Sequence, residues 1–366
     1  MGSFFVGLLA LRPLFFFFTA FAVAQGNSAT PASVSNIPPS GSSIAVRATS
    51  TMNVASETGG AFMSPSKCDA DGNLYIRKYA TDRPLLGPVV KIDPDGKRTS
   101  LFDPAAFSQL ALDRADAFSP ASDGGMYQIA QSGVSKPRIY VLRFSSDGSP
   151  SSPTRLGADF EVYTFAAFTD GNFLVSGVKR DVQNKSDRGR NFTAVFSADG
   201  RELAQLSLPE ARGSAKAGTK SNAIAHQNAA QKDVEKPAPT LDLADAEVGS
   251  DGNLYVMRGS TAALVYVIAS SGKILKTIKV FAPLPGAVPS GFHVSENRLA
   301  ISFSNHDKQS QTIVVADAQT GRKIASYTDA TEMSGSFACY SANDGVFSFL
   351  RLGEGNELEV IRAEAQ

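Results

Sequence analysis

The chain has 366 residues with 35 basic and 35 acidic side chains and a formal net charge of zero, so no global field draws it to nucleic acid or to an anionic membrane surface. The length admits two or three ordinary domains and equally one large all-β unit. Charged residues make up only 19% while glycines number 31, a mix that excludes a scaffold of long amphipathic helices and fits many short strands joined by turns.

Residues 1–24 read as an export signal: a single basic Arg12, an apolar stretch over 14–23, and the small-x-small site Ala22-Val23-Ala24, with cleavage expected after Ala24. A membrane anchor would need roughly 18 uninterrupted apolar residues, and Arg12-Pro13 splits the stretch. The expected location is therefore secreted or periplasmic, with no membrane span after cleavage. Residues 25–41, rich in Ser, Ala, Pro and Asn, lack the apolar surface to offset ordering and are expected to be a flexible leader. Folding is expected from residue 42, opening with an alternating strand over 43–49.

A turn then recurs: Asp71-Gly72-Asn73-Leu74-Tyr75, Asp123-Gly124-Gly125-Met126-Tyr127, Asp170-Gly171-Asn172-Phe173-Leu174, Asp251-Gly252-Asn253-Leu254-Tyr255 and, more loosely, Asn343-Asp344-Gly345-Val346-Phe347. An Asp-Gly turn followed by an apolar run is a strand entered from a tight turn, and its repetition marks a modular β array. The fifth module carries Glu296-Asn297-Arg298-Leu299 in place of Asp-Gly. Second turns follow the first turns of the first five modules, at Asp95-Gly96, Asp147-Gly148, Asp199-Gly200, Ser271-Gly272 and Thr320-Gly321. Four strands per module, with first turns about 50 residues apart, predict an all-β fold: a six-bladed β-propeller of four-stranded antiparallel blades. The last module supplies only three strands, so the N-terminal strand is predicted to complete the final blade. Between Asp170 and Asp251 there is an excess of about thirty residues, concentrated in 211–239, where large apolar side chains are nearly absent, and this predicts a disordered insertion.

The Asp-Gly-Asn-Leu-Tyr pattern at 71–75 and 251–255, with the Lys-Ile-Asp-Pro-Asp-Gly-Lys run ending at Lys97, resembles the NHL-repeat and gluconolactonase-like six-bladed propellers. The resemblance spans about residues 43–366 and is specific for fold. It implies a central tunnel with ligand sites at its mouth, and for the gluconolactonase-like enzymes a divalent cation held by Glu, Asn and Asp from different blades. Glu57 and Asp245 are the positions that match that set, and no Asn does.

Three groups of side chains are candidates for chemistry. Arg77, Arg258 and Arg351 share an offset after their first turns, with Lys78 and Lys179 nearby; convergent guanidiniums would grip carboxylate or phosphate, whereas the plainer reading is solvated strand ends. Glu57, with Asp116 and Asp245 in the repeated Ala-Asp-Ala, could present oxygen ligands to calcium or another divalent cation, or could simply cap turns. Of the three histidines, His226 falls in the insertion and His306 in a variable loop, so a three-histidine zinc site is not expected. His293 stands near the tunnel as a ligand-binding side chain or general base, or as a buried, hydrogen-bonded imidazole. Cys68 and Cys339 both precede first turns; a disulfide would staple the first and last blades, but the usual separation of inner strands favours two buried free thiols. No Gly-x-Ser-x-Gly, phosphate-loop or His-Glu-x-x-His motif occurs. The expected role is a binding or interaction module whose tunnel mouth takes a small molecule or an envelope protein. The alternative is a divalent-metal-dependent lactonase or hydrolase.

Overall fold

The short apolar runs become strands and the Asp-Gly positions become the turns between them. The computed structural model describes residues 43–58, 62–133, 137–156, 160–179, 189–208, 243–258, 262–305, 310–329 and 335–366. The export signal over 1–24, the leader over 25–41, the insertion over 211–239, His226 and His306 lie outside the described residues.

Strand β1 (Ile44–Asn53) and a one-turn helix α1 (Ala55–Thr58) come first. The first four-stranded sheet is β2 (Phe62–Cys68), β3 (Leu74–Lys78), β4 (Val89–Ile92) and β5 (Arg98–Phe102). The second is β6 (Arg114–Pro120), β7 (Met126–Ser132), β8 (Arg138–Phe144) and the short β9 (Thr154–Arg155). The third is β10 (Phe160–Ala167), β11 (Phe173–Lys179), β12 (Arg190–Phe196) and β13 (Glu202–Gln205), and the fourth is β14 (Leu243–Val248), β15 (Leu254–Arg258), β16 (Ala262–Ile268) and β17 (Ile274–Phe281). The remaining strands are β18 (Val288–Ser295), β19 (Arg298–Asn305), β20 (Ser310–Asp317), β21 (Lys323–Asp329), β22 (Ser336–Tyr340), β23 (Phe347–Leu352) and β24 (Leu358–Ala365). Up-and-down antiparallel sheets of this kind, repeated along the chain, make an all-β propeller.

The sheet count departs from the six separate blades predicted. Four four-stranded sheets stand alone, and the other strands form one eight-stranded sheet in the order β18-β19-β20-β21-β1-β24-β23-β22. The join is β1, which runs parallel to β21 at Ile44 to Tyr327 and Val46 to Asp329, and antiparallel to β24 from Val46 opposite Ala365 to Asn53 opposite Glu359. Its side chains are largely exposed, Val46 being the buried one, so backbone pairing holds it more than apolar burial does.

The repeated motif does its work in the first turn. Asp123, Asp170 and Asp251 each accept a backbone N–H two residues on, from Gly125, Asn172 and Asn253, at 3.0–3.1 Å, the Asx arrangement that closes such turns. In the first sheet the same service comes from Asp69, which accepts the N–H groups of Asp71 and Asn73. The motif tyrosine then reaches across: the Tyr75 hydroxyl donates to the carbonyl of Gly124, in the next sheet's turn, at 3.1 Å.

Second turns set the spacing of the sheets. Gly148 has φ +88°, and a Cβ there would stand 2.3 Å from the carbonyl oxygen of Leu101, on the last strand of the preceding sheet. Only glycine meets both demands. The equivalent Gly96 of the first sheet packs against Met52 of β1 and against Val54.

Among the described residues five buried apolar clusters lie between strands of different sheets, and a sixth joins β19 and β20 to β22, β23, β24 and Val46 of β1 within the eight-stranded sheet. One gathers Tyr75, Phe102, Phe107, Phe118 and Phe144 between the first and second sheets; full burial of such a side chain contributes about 1.5–3 kcal/mol. Another joins Leu74, Ile76 and Val90 of the first sheet to Leu350, Leu358 and Val360 of β23 and β24. Within it Cys68 and Cys339 form a disulfide with Cα atoms 6.1 Å apart. The favoured reading of two free thiols is thereby corrected, because β2 and β22 approach closely enough at this point for the bond to form.

Candidate functional site

Each inner strand is followed by a first turn, and the strand ends and turns converge. A cavity of about 410 Å³ is lined from β2 and its turn by Lys67 to Asp71, from β6 by Ser119 to Ser122 and Gly124, from the third sheet by Thr169, from β14 by Ala246 to Ser250, from β18 by His293 to Glu296, and from the β22 turn by Asn343. Its volume lies within the usual range for small-molecule sites.

The floor is set by one strand position. Lys67, Ser119 and Glu247 each stand two residues before the residue whose N–H closes the first turn (Asp69, Ala121 and Gly249), and all three are buried. Alternation along a strand gives this position the same face of each sheet, and all three side chains line the cavity. These side chains also tie neighbouring inner strands together. Ser119 Oγ accepts the N–H of Ala167 at 3.1 Å, and Glu247 Oε2 accepts that of Val294 at 2.8 Å. Nearer the mouth, Ser295 Oγ accepts from Ala342 at 2.9 Å.

Four ionisable groups from three sheets meet here. Lys67 pairs with Asp245 and also donates to the carbonyl of Ala246 at 3.1 Å. Burial pulls the Lys67 ammonium down to about 8, against the charge of Glu247, which pushes it up. His293 Nδ1 lies 2.9 Å from Glu247 Oε2, an ion-pair contact whose direction is poor for a hydrogen bond, and Nδ1 has no other partner among the described residues. Burial raises the Glu247 carboxyl, but the neighbouring His293, the Lys67 charge and the Val294 N–H outweigh it and hold the group below the ordinary carboxylate range. At the rim, Asp69 is taken by Lys91 at 3.1 Å and by Asn73 and Tyr75. Asp71 and Glu296 are exposed.

Of the side chains singled out in the sequence, His293 lines this cavity and Asp245 touches it through Lys67. The others stand elsewhere. Arg77 is buried and donates to the carbonyl of Leu85 at 3.0 Å, Arg258 is buried with Nη1 3.4 Å from the carbonyl of Leu208, and Arg351 donates to Glu359 at 2.7 Å. All three sit where the second strands of their sheets end, away from the first turns, and none lines the cavity. Glu57 lies in α1, 3.6 Å from Arg98, and Asp116 pairs with Arg114 at 2.6 Å. Glu57, Asp116 and Asp245 thus each face a different basic partner, and no group of three metal-ligating side chains gathers among the described residues. Lys67 and Glu247 escaped the sequence reading because each occurs once; the signal that finds them is their fixed offset from the turn.

No family model matches the chain, and no curated protein matches it. The likeness to NHL-repeat and gluconolactonase-like propellers therefore rests on the turn pattern. Among solved structures the chain is similar to a protein of unknown function from Bacteroides caccae, at 12% identity over 74% of this chain and 82% of that one with a TM-score of 0.43. It is also similar to the Pan2 WD40 domain of Neurospora crassa, at 10% identity over 89% and 97% with a TM-score of 0.44, and to the Dos1 propeller, at 10% over 80% and 74% with a TM-score of 0.39. These values carry nothing about function. No helix among the described residues is long and apolar enough to cross a membrane.

Proposed function

We propose that the protein is an exported β-propeller that works as a binding module, with the cavity at the first turns as its ligand surface. The observation that carries this reading is the cavity itself, enclosed by turns of successive sheets and floored by buried ionisable groups, which is where ligand sites concentrate. The blade count we propose is six, with the eight-stranded sheet read as two blades joined through β1. Six first turns, four of them with the ends of the strands leading into them, contribute to one cavity, and Gly96 rests on β1 as Gly148 rests on the last strand of the sheet before it, so β1 takes the place of an outermost strand. Export is supported by the apolar stretch after Arg12 and by the disulfide, a bond that persists in oxidising compartments. The partner on this reading is a small molecule or a segment of an envelope protein.

A thermal-shift screen with sugar acids, amines and short peptides tests the reading, because a ligand that binds only the folded form raises the melting temperature. The expected result is a hit whose shift disappears in Ser122→Trp, a change at the exposed rim that fills the mouth. A hit untouched by that change would place the ligand surface elsewhere.

A further inference from the structure

We infer that the group this cavity receives is a cation bearing N–H donors, a primary ammonium or a guanidinium such as a lysine or arginine side chain or a peptide amino terminus presents; this rests on the cavity being the ligand surface. Its lining carries four carboxylates, Asp69, Asp71, Glu247 and Glu296, against Lys67 and His293. Two of these charges are already occupied. Lys67 is held by Asp245 and the Ala246 carbonyl, and Asp69 by Lys91. The remainder is acidic. Asp71 is left over because Asp69 closes the turn in its stead, and Glu296 holds a left-handed turn position at φ 50°, although a glycine would sit there without steric cost.

The second observation is inside the cavity. Glu247 is over nine-tenths buried, and both of its close contacts, to His293 Nδ1 and to the N–H of Val294, run to Oε2. Oε1 takes no partner among the described residues. That oxygen is not among the enclosed orphan atoms of the described residues and keeps accessible surface, so an N–H cation entering from the rim can reach it and donate a charge-assisted hydrogen bond. Among the described residues the lining contains no Phe, Tyr or Trp, so the π faces that hold quaternary ammonium groups are missing. A quaternary ammonium, which has no N–H, cannot donate the hydrogen bond that Glu247 Oε1 is free to accept.

Calorimetric titration of the full protein at low salt and neutral pH, with lysine methyl ester, arginine methyl ester, tetramethylammonium and succinate as probes, tests this. At least one ester is expected to bind, tetramethylammonium and succinate to bind at least tenfold more weakly, and Glu247→Gln to weaken the ester by on the order of tenfold, as loss of one charged hydrogen bond does. Asp71→Asn and Glu296→Gly alter exposed side chains that leave the fold intact, and each should weaken the ester severalfold. Succinate or tetramethylammonium binding as well as the esters, or ester binding indifferent to all three changes, overturns the charge assignment; if that binding is still abolished by Ser122→Trp, the cavity survives as the ligand surface. No binding by any probe, or binding that Ser122→Trp leaves intact, overturns the cation and the cavity together.

Discussion

Glu296 illustrates how much a single position reveals. A side chain at φ 50° brings its Cβ close to the backbone and costs roughly 1–2 kcal/mol relative to the right-handed region, so Glu296→Gly should stabilise the protein by about 1 kcal/mol. Denaturant unfolding measures this, and a loss of stability would mean that the Glu side chain itself holds the turn. For Glu247 the expectation concerns pH. Its folded carboxyl sits below its ordinary value, so the unfolded chain binds more protons in that interval; the stabilisation is complete above the unfolded value and is lost as pH falls through the folded one. The stability gap between wild type and Glu247→Gln should therefore narrow on going from about pH 6 to about pH 3, and a gap constant with pH would refute the assignment. His293 was legible because histidine is rare and this one falls in an inner strand. Lys67 and Glu247 were not, because a lone charged residue acquires meaning only from the register that turns it inward. The recurring arginines had the opposite fate: their offset is real, but it leads to the far ends of the second strands, where backbone carbonyls and Glu359 receive them.

At the level of turns and strands, glycine in the second turn fixes how closely one sheet can lie on the next. Gly148→Ala combines a left-handed backbone with a Cβ driven against the Leu101 carbonyl, and it should destabilise by about 2 kcal/mol or more. Gly345→Ala, also at positive φ but with nothing within 4 Å, should lose only the conformational part, about 1 kcal/mol. Equal losses in thermal or denaturant melts would show that contact between sheets adds nothing. Most strands were readable from their apolar runs and bounding turns, since both signals are local. The 3-10 turn over Pro104–Leu110, capped by Asp103, was not. Its contribution is Phe107, which packs edge-on to Phe144 of the next sheet, and no local pattern encodes a contact of that kind.

For the molecule as a whole, the disulfide spans 271 residues and joins the first sheet to β22. Cross-links of this sort stabilise by typically about 2–4 kcal/mol, so reduction, or Cys339→Ala, should lower the melting temperature by several degrees while leaving the far-UV spectrum of the strands unchanged. An unaltered melt would show that apolar packing between these strands suffices. That the fold is an all-β propeller was visible in the repeat, and the missing last strand pointed the N-terminal strand toward the final module; its parallel pairing with β21 was not visible, since it depends on strands far apart in sequence. The same junction brings the two termini of the described chain together, with the N–H of Gln366 donating to the carbonyl of Ala45 at 2.9 Å. A short linker from Gln366 to Ser43 would turn β24 and β1 into a single hairpin, and the polypeptide could then start at Gly355, where an added side chain meets nothing within 4 Å. Such a circular permutant would keep every strand while its new ends fall in the turn between β23 and β24.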